Sequence, residues 1–191
     1  MIPAGSCRII HDSFCGGNRI LQQLSRRDRN QCCGTCCHMS VFHSDNDAET
    51  EKLGQRLAAA LGGGDVVALY GDLGAGKTVF ARGLARGLGI AEPVTSPTFA
   101  LVQEYQGESL RFCHIDLYRL DSPENVIGIG IDEYLEDPGA VTVIEWAERL
   151  GNLCPENPIQ VYITVIAGTR RIEITGAADF DVAAGSRDGQ I

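Results

Sequence analysis

The sequence predicts a three-layer α/β domain with a mostly parallel sheet and a C-terminal antiparallel hairpin. Three observations predict it. VVALYG (66–71) is a short, β-branched apolar run of the kind that forms a strand buried on both faces. It feeds into a glycine-rich turn and then into TVFARGLARGLGI (78–90), where Phe80, Leu84 and Leu88 recur every fourth residue, as on one helix face. Two more apolar runs follow, separated by a helical pattern, and the body closes on two alternating segments joined by a tight turn.

Taken in order, the recognisable pattern begins a few residues after Met39. Residues 45–62, DNDAETEKLGQRLAAALG, read as a helix capped by Asp45 or Asp47, with acidic residues in its first turn. Leu53, Leu57 and Leu61 share a face, and Gly62 to Gly64 end it. TSPTFALVQEY (95–105) starts as a loop and becomes extended. LRFCHIDLYRL (110–120) is a strand ending near Asp116. DSPENVIGIGIDEYLED (121–137) opens on a capping pattern, Asp121 or Ser122 before Pro123 and Glu124, and reads as helical. VTVIEW (141–146) is a buried strand closed by Glu145, and PIQVYITVIAG with TRRIEITG (158–176) forms antiparallel strands around a Gly-Thr turn.

The chain has 191 residues, 44% of them hydrophobic, which suits one domain with a core, residues 39–191. No apolar run reaches the roughly eighteen residues of a membrane helix. Residues 1–38 carry five arginines against two aspartates, +3 within a chain total of −9, which leaves −12 on residues 39–191. A body that acidic is repelled by a phosphate backbone, so direct binding of nucleic acid by it is not expected. Six of the eight cysteines fall before residue 38, unlike a disulfide scaffold, and no apolar signal segment follows Met1. A cytoplasmic protein is the expectation. CCGTCCH (32–38) has the residue types of a metal site, but four cysteines crowd six residues, whereas a tetrahedral zinc site draws its second pair from elsewhere. Residues 1–38 are expected to be a disordered extension, or to precede the true start at Met39.

The turn fits Gly71-x4-Gly76-Lys77-Thr78. Gly71, Gly74 and Gly76 lack a Cβ, so the backbone can curl and aim its N–H groups inward at an anion. The helix N-terminus adds its positive end. Lys77 places a cation beside the β- and γ-phosphates, and the Thr78 hydroxyl can hold Mg²⁺. A strand before the loop and a helix after it make this a P-loop NTPase-like arrangement. Such a site also needs an acid at a neighbouring strand end. Asp116 and Glu145 both qualify, and spacing alone does not divide metal binding from water orientation between them. A guanine site built on Asn-Lys-x-Asp is excluded, because the chain's two lysines, Lys52 and Lys77, lie elsewhere. ATP is therefore the expected nucleotide. A small-molecule kinase would need an arginine-bearing lid; Arg111, Arg119, Arg170 and Arg171 are available, but no lid-like insertion is. A nucleotide-gated binding module is the third reading.

GDLGAGKT, TSPTFALVQEY, HIDLYRL and VIEW, in this order and at these distances, resemble the TsaE (YjeE) family over about residues 45–175. That family is the small bacterial ATPase required for making N6-threonylcarbamoyladenosine in tRNA. The resemblance implies a P-loop α/β domain, ATP and Mg²⁺ as cofactors, and partnership with TsaD- and TsaB-like proteins. It implies that tRNA is met only through that complex, with neither DNA nor a membrane as partner. By the same resemblance Gly74, Ala75, Gly76, Lys77 and Thr78 form the phosphate loop, Thr78 and Glu145 bind magnesium, and Asp116 serves hydrolysis. Ser96, Pro97 and Thr98 match a switch-like segment near the γ-phosphate. Trp146 matches the tryptophan after the acid, as a partner contact or as core packing. Asp47 and Thr50 fall where the first helix approaches the nucleotide, with plain capping as the alternative. Val79 stands where many members carry a second threonine, and the cysteine-rich extension is foreign to the pattern.

Overall fold

A computed structural model describes residues 39–177 and 180. The cysteine run and the rest of the N-terminal extension lie outside the described residues. Within them the elements are β1 (Met39–Ser44), α1 (Asp47–Ala58), β2 (Val66–Tyr70), α2 (Lys77–Gly87), β3 (Val102–Gln106), β4 (Arg111–Asp116), α3 (Pro123–Gly128), α4 (Ile131–Leu135), β5 (Ala140–Glu145), a 3-10 segment (Ala147–Leu153), β6 (Ile159–Ile166) and β7 (Thr169–Thr175).

The described strands form one sheet of seven, in the order β1-β7-β6-β2-β5-β4-β3. Its centre, β6-β2-β5-β4, is parallel, and β2 and β5 are buried apolar runs, as expected for strands covered on both faces. Both edges turn antiparallel: β3 against β4, and β6-β7-β1 on the other side. On one face α1 and α2 bury Leu53, Leu57, Phe80 and Leu84 against Val67, Leu69, Val141 and Val143. On the other, Val126, Ile131 and Leu150 from the short helical segments pack on Val66, Ala68, Ile115 and Ile144. The three-layer α/β architecture is as the sequence predicts.

Five details depart from the sequence reading. β1 was not anticipated. Its inward positions include Ser40 and Ser44, both buried, while Met39 and Val41 face outward, so it lacks the apolar alternation that marks a strand. The cap of α1 is Asn46, neither Asp45 nor Asp47. Its side chain accepts from the Glu49 amide at 3.0 Å, and Glu49 Oε2 accepts from the Asp45 amide at 2.8 Å, so Glu49 reaches back to the residue before the cap instead of to the cap amide of a capping box. The helix also stops at Ala58, ahead of the glycines. Residues 121–137 are two short helices rather than one: Ser122 caps the first, and Gly130 at φ +71° separates them. The β6–β7 turn is Ala167–Gly168, φ +50° and +90°, because a two-residue hairpin of the favoured twist needs positive φ at both central positions.

Candidate functional site

An open cleft of about 350 Å³ lies where β2, β4 and β5 end and α2 begins. In a sheet with a parallel centre, ligands sit beyond the carboxyl ends of those strands. The glycines of the loop answer different demands. Gly71, at φ +141°, passes so close to β6 that a Cβ would stand 2.3 Å from the Ile163 carbonyl oxygen. Gly76 is the left-handed N-cap of α2, at φ +109°. Gly74, at φ +77°, has open space around it, so conformation alone requires glycine there. No acidic side chain occupies the first turn of α2, which leaves its positive end for an anion.

The Thr78 hydroxyl donates to Glu145 Oε1 at 2.8 Å. Strand register brings the acids together. Parallel pairing sets Asp116 of β4 opposite Glu145 of β5, and Glu145 opposite Leu69 of β2, two residues before Gly71 of the loop. Glu145 is only 3% exposed, and His114 Nε2 lies 2.9 Å from its Oε1. Asp116 is held from two sides. Ser96 Oγ and Thr98 Oγ1 both donate to Oδ2, at 2.9 and 2.6 Å, and the Tyr118 amide donates to Oδ1 at 2.9 Å.

Lys77 is buried. Its Nζ donates to the carbonyls of Gly71 (2.5 Å) and Asp72 (2.9 Å) and stands 3.8 Å from the centre of the Trp146 ring. Burial lowers its pKa from the ordinary lysine value, opposed by the charges of Glu145, Glu148, Asp116 and Asp72. Arg170, at the start of β7, reaches across: Nε donates to the Ala75 carbonyl at 3.0 Å, and its outer nitrogens to Thr50 Oγ1 (3.2 Å) and Asp47 Oδ1 (2.6 Å).

Of the residues expected at a nucleotide site, Asp47, Gly74, Gly76, Lys77, Thr78, Val79, Ser96, Thr98, Asp116 and Glu145 line the cleft. Gly71 and Ala75 do not. Gly71 shapes the loop against β6, and Ala75 is 2% exposed in the core, offering its carbonyl to Arg170. Thr50 is buried, with its hydroxyl shared among Ser44, the Asn46 carbonyl and Arg170. Trp146 is neither purely core nor free surface: it lines the cleft beneath Lys77, in a left-handed conformation at φ +60°. Sequence reasoning missed three contributors. They are Arg170, which the sequence offers only as a lid arginine, His114, which it shows only as part of a strand, and Tyr118 of the cleft wall. The His-x-Asp spacing could have found the second, because residues two apart on a strand share a face.

A family model described as threonylcarbamoyl adenosine biosynthesis protein TsaE matches residues 44–172, a span holding every residue that lines the cleft. The chain belongs to the TsaE family. A Nostoc sp. protein named tRNA threonylcarbamoyladenosine biosynthesis protein TsaE is 42% identical over 144 residues, covering 71% of this chain and 84% of that protein. Its Bacillus subtilis namesake is 41% identical over 133 residues (70% and 82%), and that of Treponema pallidum 44% over 127 residues (66% and 93%). A crystal structure of Bacillus subtilis YdiB superposes with a TM-score of 0.64 at 33% identity, covering 75% of this chain and 89% of that one. The TsaE-family match begins at Ser44, so β1 lies almost wholly ahead of it.

Proposed function

We propose that this chain is the Mg²⁺-dependent ATPase component of N6-threonylcarbamoyladenosine formation in tRNA, acting with TsaD- and TsaB-type proteins in the cytoplasm. The observation that carries the reading is the meeting of Thr78 Oγ1 and Glu145 Oε1 at 2.8 Å beside the anion-binding loop, with Asp116 next to Glu145 in strand register. The Thr78 hydroxyl and the Glu145 carboxylate, two hard oxygen donors at the mouth of a phosphate cradle, fit Mg²⁺, which takes one or two protein oxygens and completes its shell with phosphate and water. When bound, the cation neutralises charge developing on the β- and γ-phosphate oxygens.

The chain's residues supply the remainder. Backbone N–H groups of residues 74–78 bind the phosphates. Lys77, held on the loop's own carbonyls, turns its ammonium to the terminal phosphate. Asp116, fixed by Ser96, Thr98 and the Tyr118 amide, orients the attacking water. Because Ser96 and Thr98 rest on that carboxylate, the loop that bears them senses the terminal phosphate. The acidic body leaves tRNA contact and the transfer chemistry to the partner subunits.

The test is Mg²⁺-dependent phosphate release by the full chain, alone and with TsaD- and TsaB-type partners. Slow turnover alone, a rise with partners, and a loss of at least about a hundredfold in Lys77→Ala are expected. Partners without effect, together with phosphate transfer to a small acceptor, would replace this reading with the kinase one.

A further inference from the structure

His114 is fully buried, yet nothing in the ATPase reading uses it. Its Nε2 lies 2.9 Å from Glu145 Oε1, and its Nδ1 is buried without a hydrogen-bond partner among the described residues. We propose that His114 is a positioning residue: its Nε2–H fixes Glu145 Oε1 so that the carboxylate's other oxygen, Oε2, is presented to a divalent cation in the cleft. The inference rests on the reading of Glu145 as a magnesium ligand.

Sheet geometry brings His114 there. His114 and Asp116, two apart on β4, share a face. Register pairs Asp116 with Glu145 and His114 with Val143. His114 therefore stands one step behind the acidic pair and reaches forward to it. Both hydrogen bonds recorded on the carboxylate, from Thr78 and from His114, fall on Oε1. A carboxylate accepts, so the ring nitrogen facing it carries the proton. The partnerless Nδ1 is then an imine nitrogen, and a proton placed there would be a buried N–H with nothing to receive it. One tautomer satisfies the site. A donor bonded to the ligand in this way sets the ligand's direction without touching the metal. Core packing alone is the competing explanation, since the ring also lies 6.0 Å from Phe112. A leucine would serve packing equally well.

The experiment uses the full chain, unaltered and as His114→Leu and His114→Gln. Leucine fills the space without a donor, whereas the glutamine amide replaces the Nε2–H. Mn²⁺ binding is read by electron paramagnetic resonance in the presence of AMP-PNP, with no turnover involved. AMP-PNP binding in EDTA is measured alongside. His114→Leu is expected to weaken Mn²⁺ binding about 10–100-fold and His114→Gln to restore it to within about threefold, with binding in EDTA unchanged in both. In the unaltered chain, ¹⁵N resonances should show one of the four histidines locked as the Nε2–H tautomer, and His114→Leu should remove that signal. Wild-type Mn²⁺ affinity in His114→Leu, equal weakness in Leu and Gln, or an Nδ1–H tautomer that leaves Nε2 without a proton would each overturn the proposal. Should His114→Leu not fold, the tautomer read on the unaltered chain and the glutamine variant still decide. An unaltered chain that binds no Mn²⁺ with AMP-PNP would instead overturn the ATPase reading, and this inference with it.

Discussion

Lys77 is held under opposed demands. Burial lowers its pKa, so the unfolded chain binds that proton more tightly than the folded one. A charged Lys77 therefore costs folding free energy at every pH below its folded pKa. The cost fades as pH rises through that pKa and is gone above the unfolded value of 10.5, where both states are neutral. At neutral pH the fold stands despite this residue, with Glu145 and Asp116 softening the cost. A bound phosphate would reverse the balance. Lys77→Met is expected to melt at or above the wild-type temperature without nucleotide, and to lose the upward shift that Mg²⁺ and AMP-PNP give the wild type. Calorimetry with and without nucleotide checks both. A lower melting temperature in the nucleotide-free variant would mean that the bonds to Gly71 and Asp72 outweigh desolvation. At this scale the loop residues are legible in the sequence because they are adjacent along the chain, and the two acids because each ends an apolar strand, the place where a phosphate loop needs a carboxylate. Arg170 and His114 are not, because strand pairing alone carries them to the cleft. Trp146 fits either role on sequence alone, since only the placement of Lys77 over its ring shows what it touches.

Between elements, the packing of α1 on α2 depends on glycine. A Cβ at Gly54 would stand 2.4 Å from the Phe80 carbonyl oxygen, one at Gly83 2.0 Å from that of Glu51, and one at Gly87 2.7 Å from that of Gln55. The helix backbones thus nearly touch, and this contact seats the N-terminus of α2 beneath the loop. Helix propensity alone would make Gly83→Ala stabilising by about 1 kcal/mol. Backbone does not yield as a flexible side chain does, so a net destabilisation of about 1–3 kcal/mol is expected. Gly128→Ala, with nothing within 4 Å of the new methyl, is the control and should be neutral or better. Urea unfolding of the two variants separates the cases; equal stability would show that the helices slide apart without cost. The central strands and both long helices were legible from their periods, because burial on both faces and 3.6-residue repeats are local signals. The break at Gly130 was not, and the β6–β7 turn, read at Gly168-Thr169, lies one residue earlier at Ala167–Gly168. The break is set by the need of the two short helices to pack back on the sheet, and the turn position by the strand register.

At the scale of the whole molecule, a parallel centre carries the cleft while the antiparallel flank β6-β7-β1 braces it. The brace can be traced residue by residue. Ser44, last in β1, pairs with Arg170, first but one in β7, and its hydroxyl lies 2.7 Å from that of Thr50. Arg170 in turn bonds the loop at Ala75 and α1 at Asp47. β1 also brings Phe42 to pack edge-on against Phe180 at 5.5 Å, with Arg56 over both rings. The strand unreadable in the sequence thus supports one wall of the cleft. Comparing chains that start at Met39 and at Asp45 isolates its contribution, because both lack the same preceding segment. Loss of β1 should lower stability by about 2–4 kcal/mol, from the buried part of Phe42 and the strand hydrogen bonds. It should also weaken AMP-PNP binding, because Arg170 and Asp47 lose their fixed positions while Lys77, Thr78 and Glu145 keep theirs. Denaturant titration gives the first quantity and calorimetric binding the second. If stability falls but affinity holds, β1 supports only the sheet edge, and the Arg170 link between flank and loop is not part of the nucleotide site.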